Sequence, residues 1–189
     1  MGGVAADYTD SQDGIARTLP WALTWIVLSV LVLIFIFTGS IILPIKAVIL
    51  NFLSLGATMG VLTWVFIGGN LQWLVGSFTA TGTLDTSIVI LIAVVVFGLS
   101  MDYELFLLSR IREEHLAGKS NVESVAIGLQ RSARIITAAA VLLAVVFAAF
   151  VTSGVTSIKT MGFGVALAVI LDATIVRGLL VPALMRLFG

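Results

Sequence analysis

The chain has 189 residues, of which 60% are hydrophobic and 11% charged, with ten basic and ten acidic side chains and a mean hydropathy of +1.19. Soluble domains carry about 25% charged residues, so this composition predicts a membrane protein, and the balanced charge gives no bulk attraction to nucleic acid. The lack of cysteine and the single histidine, His115, exclude disulfides, thiolate metal sites and multi-histidine metal sites.

Residues 1–18 are polar and include Asp7, Asp10 and Asp13. They lack the basic start, short apolar run and cleavage site of a signal peptide, so the first apolar run is expected to stay in the membrane. That run predicts a first span over about 20–39, with Pro20 at an early helical position and Trp21 and Trp25 at a membrane interface. A second span is expected over about 44–67. It carries Gly56 and Gly60 in GxxxG spacing, which allows close helix approach and is read as packing within one chain. Asn51 and Ser54 on the same helix are read as structural groups that hydrogen-bond across helices. The loop that follows, GGNLQWLVGSFTATGTLD, is Gly/Thr-rich and places Leu71, Trp73 and Leu74 along the interface.

The third span is expected over about 87–109, ending toward Gly118 as a helix stop. Ser120-Asn121-Val122-Glu123 is an S-x-x-E capping box. Val122, Val125, Ala126 and Leu129 follow at helical spacing, which predicts a short amphipathic elbow helix over about 121–130 on the cytoplasmic face. The fourth and fifth spans are expected over about 132–153 and 159–188, the last interrupted in composition by Asp172, Arg177 and Pro182. The fold class is therefore all-α membrane, five spanning helices with one elbow.

Orientation follows from the basic residues. The 110–134 connection holds Arg110, Arg112, Lys119, Arg131 and Arg134, whereas the 68–86 connection holds none. The positive-inside rule puts the first in the cytoplasm. The N-terminus is then outside and the C-terminus, with Arg186, inside. Lys46 agrees with this orientation and Lys159 runs against it. Arg110, Arg112 and Arg177 are read as boundary anchors, Arg177 by snorkelling to the inner interface. An outside N-terminus without a signal sequence is most simply the mark of a piece of a longer protein.

The third span carries Asp102-Tyr103-Glu104 in an otherwise apolar run. An acid near mid-membrane costs roughly 2.5–3.5 kcal/mol on insertion scales and normally faces a protein interior. Asp102 and Tyr103 are about 100° apart around the helix, so each needs its own partner. A buried carboxyl can take up and release a proton near neutral pH, and a tyrosine hydroxyl can donate and accept. That is the chemistry of a proton-coupled transporter, with Glu104, Ser100 and Asp172 as supporting polar groups. A purely structural Asp102 is the competing reading. Asp172 and Arg177, five apart, fall about 140° apart on an α-helix and are not expected to pair. No GxxxxGK[ST] or GxGxxG is present, so nucleotide-driven chemistry is not expected, nor is a Ser/His/Asp hydrolase site.

The segments FGLSMDYELFLLSRIREE (97–114), GLQRSARIITAAA (128–140) and DATIVRGLLVPALMRLFG (172–189) resemble the MMPL family of the RND superfamily of transporters. The resemblance covers essentially the whole chain. It implies an RND-type half-bundle equivalent to helices eight to twelve of twelve, with residues 1–18 as the tail of a periplasmic porter domain and 19–189 as the transmembrane domain. It implies a secondary transporter rather than an enzyme, working by proton antiport in a bacterial inner membrane. Protons are then the coupling ion, with no other cofactor and no metal. The cargo implied is lipid or another hydrophobic molecule. Asp102 and Tyr103 match one Asp-Tyr pair of the family's proton relay. The reciprocal pair belongs to an N-terminal half that this sequence does not contain, and inhibitors of the family bind between the two pairs. Two other classes stay open: an inactive structural or assembly fragment, and a sterol-sensing or receptor-like lipid-binding domain. A pairing of two copies through their Asp102 faces is a weaker possibility.

Overall fold

The computed structural model describes residues 4–78 and 82–188, with side chains from 13 to 184 apart from that of residue 16. Residues 1–3 of the expected porter tail, the side chains of Asp7, Asp10 and Arg186, and loop residues 79–81 therefore lie outside the described residues. All regular elements among the described residues are helices. Five of them are long and apolar enough to cross a membrane: 13–38, 42–67, 86–116, 121–150 and 156–184.

The chain divides into two compact units, 1–48 and 49–189. The first contains helix α1, Val4–Thr38, and the opening turns of α2, Ile42–Leu62. Helix α1 starts well before the expected span, so Pro20 lies inside the helix rather than near its start. Residues 4–18, expected as the tail of a porter domain, are helical and continuous with the first span. Within this apolar helix the hydroxyls turn back on their own backbone. Thr24 Oγ1 donates to the Pro20 carbonyl at 2.8 Å and Ser29 Oγ to that of Trp25 at 2.7 Å. This satisfies polar groups that hydrocarbon could not. Trp21 and Trp25, expected at a membrane interface, are 78% and 73% exposed. Gly39, at φ +69°, ends the helix, its N–H bonded to the Phe35 carbonyl at 2.7 Å.

The second unit holds the rest of α2, which winds into a π-helical turn at Thr63–Ile67, and a short α3, Gln72–Val75. It continues with α4, Thr86–Leu116, α5, Asn121–Phe150, and α6, Thr156–Leu171. A π-helical segment, Asp172–Leu180, and α7, Val181–Phe188, complete the last span. Helices α4, α5 and α6 pack against one another. Their core joins Ile92 and Val96 of α4, Ala140 of α5 and Val165, Ala168 and Val169 of α6 to Leu62, Val65 and Phe66 of the second span.

Helix α4 begins at Asp85, whose carboxylate accepts from the Ser87 N–H at 2.8 Å, and it stops at Gly118, φ +87°. The Ser120–Glu123 capping box is present and opens α5. The helix it opens does not end at 130. The elbow expected over 121–130 is the first third of one continuous 30-residue helix. Nothing in Gln130-Arg131-Ser132 breaks a helix, and the glycine nearby serves a different purpose. A Cβ on Gly128 would lie 2.6 Å from Ile111 Cγ1 and 3.0 Å from the Ile111 Cα, so Gly128 lets α5 cross α4 backbone to side chain. Gly128→Ala is expected to destabilise the fold by about 1–3 kcal/mol through overpacking, read as a lower thermal midpoint in detergent or nanodiscs.

At the same end Glu114, only 4% exposed, pairs with Lys119 and Arg131 and ties α4 to α5. By contrast Arg110, expected as a boundary anchor, forms an exposed pair with Glu113 at 2.9 Å, and Arg112 is exposed. The Gly56/Gly60 pair does not pack as expected: a Cβ at either position meets nothing within 4 Å. The buried face of α2 carries Asn51, Ser54, Thr58 and Leu62 instead, and the glycines stand beside it.

Lys159 explains its own exception to the charge bias. It is 7% exposed, and its Nζ donates to the carbonyls of Val75 at 3.1 Å and Ser77 at 2.9 Å. It is an internal tether for the segment after α3 rather than a boundary charge. Trp73, 82% exposed, and Leu74, 58% exposed, project outward, whereas Leu71, expected beside them at the interface, packs against the core. Lys159→Met is expected to speed amide exchange at Val75–Ser77 while α4–α6 keep their protection, measured by hydrogen exchange.

Candidate functional site

The polar centre is built on two elements. Helix α4 contributes Ser100 and Tyr103, and the π-helical segment contributes Asp172 and Arg177. On an α-helix residues five apart diverge, but a π turn closes i→i+5 and brings them into line. Arg177 Nε accordingly donates to Asp172 Oδ2 at 2.7 Å, with side-chain exposures of 4% and 6%. The expectation that the two would not pair is thus overturned by the local winding. So is the snorkelling role of Arg177, whose guanidinium is held in the interior.

Asp172 is satisfied on both oxygens, since Ser100 Oγ donates to Oδ1 at 2.8 Å. Arg177 Nη2 donates to the Ser100 carbonyl and lies 3.3 Å from Ser100 Oγ. The guanidinium carbon sits 5.2 Å from the centroid of the Tyr103 ring, within cation–π range. Arg177 Nη1 makes no hydrogen bond and is buried. A buried ion pair survives desolvation when its geometry is close and its remaining groups are bonded, and here both carboxylate oxygens are occupied.

Asp102 is not part of this cluster. It is two residues from Ser100, about 200° around α4, and it is exposed. Tyr103, partly buried, falls between the two directions. As predicted, Asp102 and Tyr103 face different ways. One partner of Tyr103 lies within this chain, the Arg177 guanidinium, which sequence reasoning did not anticipate. Glu104 is partly buried and shares the Ser100 side of the helix at i+4. The arrangement therefore has an inward half, Ser100–Asp172–Arg177, and an outward acid, Asp102, with an aromatic hydroxyl-bearing ring between them. Among the described residues no cluster of His, Asp and Glu could hold a metal ion.

Comparison with known proteins places this geometry in a family. The MMPL family model matches residues 1–189. A putative membrane protein of Streptomyces coelicolor is 46% identical over 187 residues, covering 99% of this chain and 26% of that protein. The trehalose monomycolate exporter MmpL3 of Mycobacterium tuberculosis is 44% identical over 190 residues, covering 100% of this chain and 20% of the exporter. The mycolic acid-containing lipids exporter MmpL11 of Mycolicibacterium smegmatis is 39% identical over 188 residues, again 20% of its length. The chain thus spans about a quarter or less of these relatives. With a family model matched end to end and membrane-crossing helices throughout, the chain belongs to the MMPL family.

Proposed function

We propose that the chain forms one transmembrane half of a proton-driven exporter of lipids or similar hydrophobic molecules. The observation that carries this reading is the exposed Asp102 in the middle of an apolar spanning helix. Its insertion costs roughly 2.5–3.5 kcal/mol, so a carboxylate facing outward from this half needs a polar partner beyond it. A second transmembrane half carrying a reciprocal Asp-Tyr pair supplies it. The names of the relatives as lipid exporters support the cargo class.

In this reading the protein is a secondary transporter, not an enzyme, and its energy comes from the proton gradient. Asp102 takes up and releases the proton, while Tyr103 positions it between Asp102 and the interior ion pair. A change of charge at Asp102 alters the field on the Arg177–Asp172 pair through the Tyr103 ring. Because that pair fixes the last span against α4, protonation biases how the two helices sit. The N-terminus is then outside and the C-terminus in the bacterial cytoplasm, with Arg110 and Arg112 marking the inner boundary. Inhibitors that bind between the two Asp-Tyr pairs would contact the Asp102 face.

The test is export in proteoliposomes carrying the full-length protein under an imposed pH gradient. Cargo movement that stops with a protonophore and with Asp102→Asn supports the reading. Gradient-independent movement insensitive to Asp102→Asn overturns it.

A further inference from the structure

The buried face of α2 carries polar groups of its own, apart from the Asp172–Arg177 network. Asn51 and Ser54 are 2% and 4% exposed, and neither Asn51 Oδ1, Asn51 Nδ2 nor Ser54 Oγ has a hydrogen-bond partner. Leaving such groups unpaired inside a protein is costly, and ordered water is the usual remedy. The face that holds them is fixed by Leu62, which lies on the same side of α2 two to three turns on. Leu62 meets α4 and α6 at a common point: a Cβ on Gly164 would sit 3.0 Å from both Leu62 Cδ1 and Ile92 Cδ1.

Helix register then sets the depth. From Ile92 and Gly164, eight residues along α4 and the last span lead to Ser100 and Asp172, which are hydrogen-bonded to each other. Helix α2 runs the opposite way, so eight residues back from Leu62, about 12 Å, lies Ser54, with Asn51 one turn further. The Phe52–Phe97 ring contact, centroids 6.4 Å apart, independently holds this stretch of α2 against α4 within about a turn of Ser100. The Arg177 guanidinium is at this level as well, through its bond to the Ser100 carbonyl, and its Nη1 is likewise buried without a partner.

We propose that Asn51, Ser54 and Arg177 Nη1 together form a water-binding site in the membrane interior, through which α2 joins the Asp172–Arg177 centre. The donor and acceptor inventory suits water. A water oxygen accepts from an Nη1–H, its two hydrogens go to Asn51 Oδ1 and Ser54 Oγ, and a second water accepts from Asn51 Nδ2–H. A metal cation is disfavoured by the adjacent guanidinium. An anion would leave Asn51 Oδ1 without a donor. The functional consequence rests on the proton-coupled reading above, but occupancy of the site does not. Asn51 acts here as a positioning residue, holding water against the ion pair.

The direct test is a cryo-EM map of the full-length protein in nanodiscs, at a resolution that shows ordered water. Solvent density within hydrogen-bond distance of Asn51, Ser54 and Arg177 Nη1, lost in Asn51→Leu, is the expected result. Direct bonding among these side chains with no density between them overturns the proposal. In proteoliposomes, Asn51→Leu is expected to lower gradient-driven export about tenfold, the worth of one hydrogen bond, and Asn51→Ser to restore part of it. A raised melting temperature for Asn51→Leu with unchanged export identifies a dry site and also overturns it. Parent-level export by Asp102→Asn defeats the relay reading instead, and the density still decides the water site.

Discussion

Arg177→Met in the full-length protein is expected to lower stability by about 3–5 kcal/mol, because it leaves the Asp172 carboxylate buried without its counter-charge. Both side chains are almost wholly enclosed, so solvent cannot compensate. Asp172→Leu alone leaves the opposite defect, a lone guanidinium beside Tyr103, and a loss of similar size follows. The double replacement Asp172→Leu/Arg177→Met is expected to recover most of that stability, since an apolar pair of similar volume removes both desolvation penalties. Export should not recover with it. A double-mutant cycle on thermal midpoints, run beside an export assay, separates the two quantities. If the double variant transports at the parent rate, the ion pair serves the fold alone.

Asp102→Asn is the second large effect, and it has the opposite signature. Asp102 lies outside the Asp172–Arg177 network, and the amide keeps its size and hydrogen-bonding capacity, so the fold is expected to survive the substitution. Gradient-driven export is expected to fall at least about a hundredfold, the lower end of what a positioned proton-transfer group contributes. Asp102→Glu keeps the titrating group and should retain a measurable fraction. The comparison of melting temperature with export rate across these three proteins checks the expectation. A variant that unfolds as it loses transport would place Asp102 among the structural acids.

The elements that could be read from the chain were those with strong local signals. Long apolar runs located five spanning helices, Gly118 marked the end of α4, and Ser120 with Glu123 marked the start of α5. The angular separation of Asp102 and Tyr103 was also legible, because α4 keeps ordinary α-helical winding through that stretch. What escaped was set by interactions between distant segments. Nothing local marks Glu114, next to the boundary residues Arg110 and Arg112, as a buried tie, because its partners Lys119 and Arg131 arrive from across the turn and from α5. Lys159 looked like a topological exception because its carbonyl partners lie 84 and 82 residues away in sequence. The Asp172–Arg177 pair was hidden by assuming the wrong helix. Spacing arguments carry their winding with them: an i, i+5 pair that diverges on an α-helix meets on a π-helix. The amphipathic stretch after Ser120 had the pattern of a separate surface helix, but pattern alone does not supply a break.

The π-helical segment has a mechanical consequence beyond the pair it aligns. A wider turn uses one more residue than an α turn to complete the same circuit. Nine residues of it, Asp172–Leu180, put α7 out of phase with α6. The side chains of residues 181–184 are therefore aimed differently from where an unbroken α-helix would present them. The bearing of the C-terminal helix and the Asp172–Arg177 contact thus share one winding. Loosening that contact removes one restraint on the wider winding, and any return to α geometry would turn the chain's last turns about their own axis.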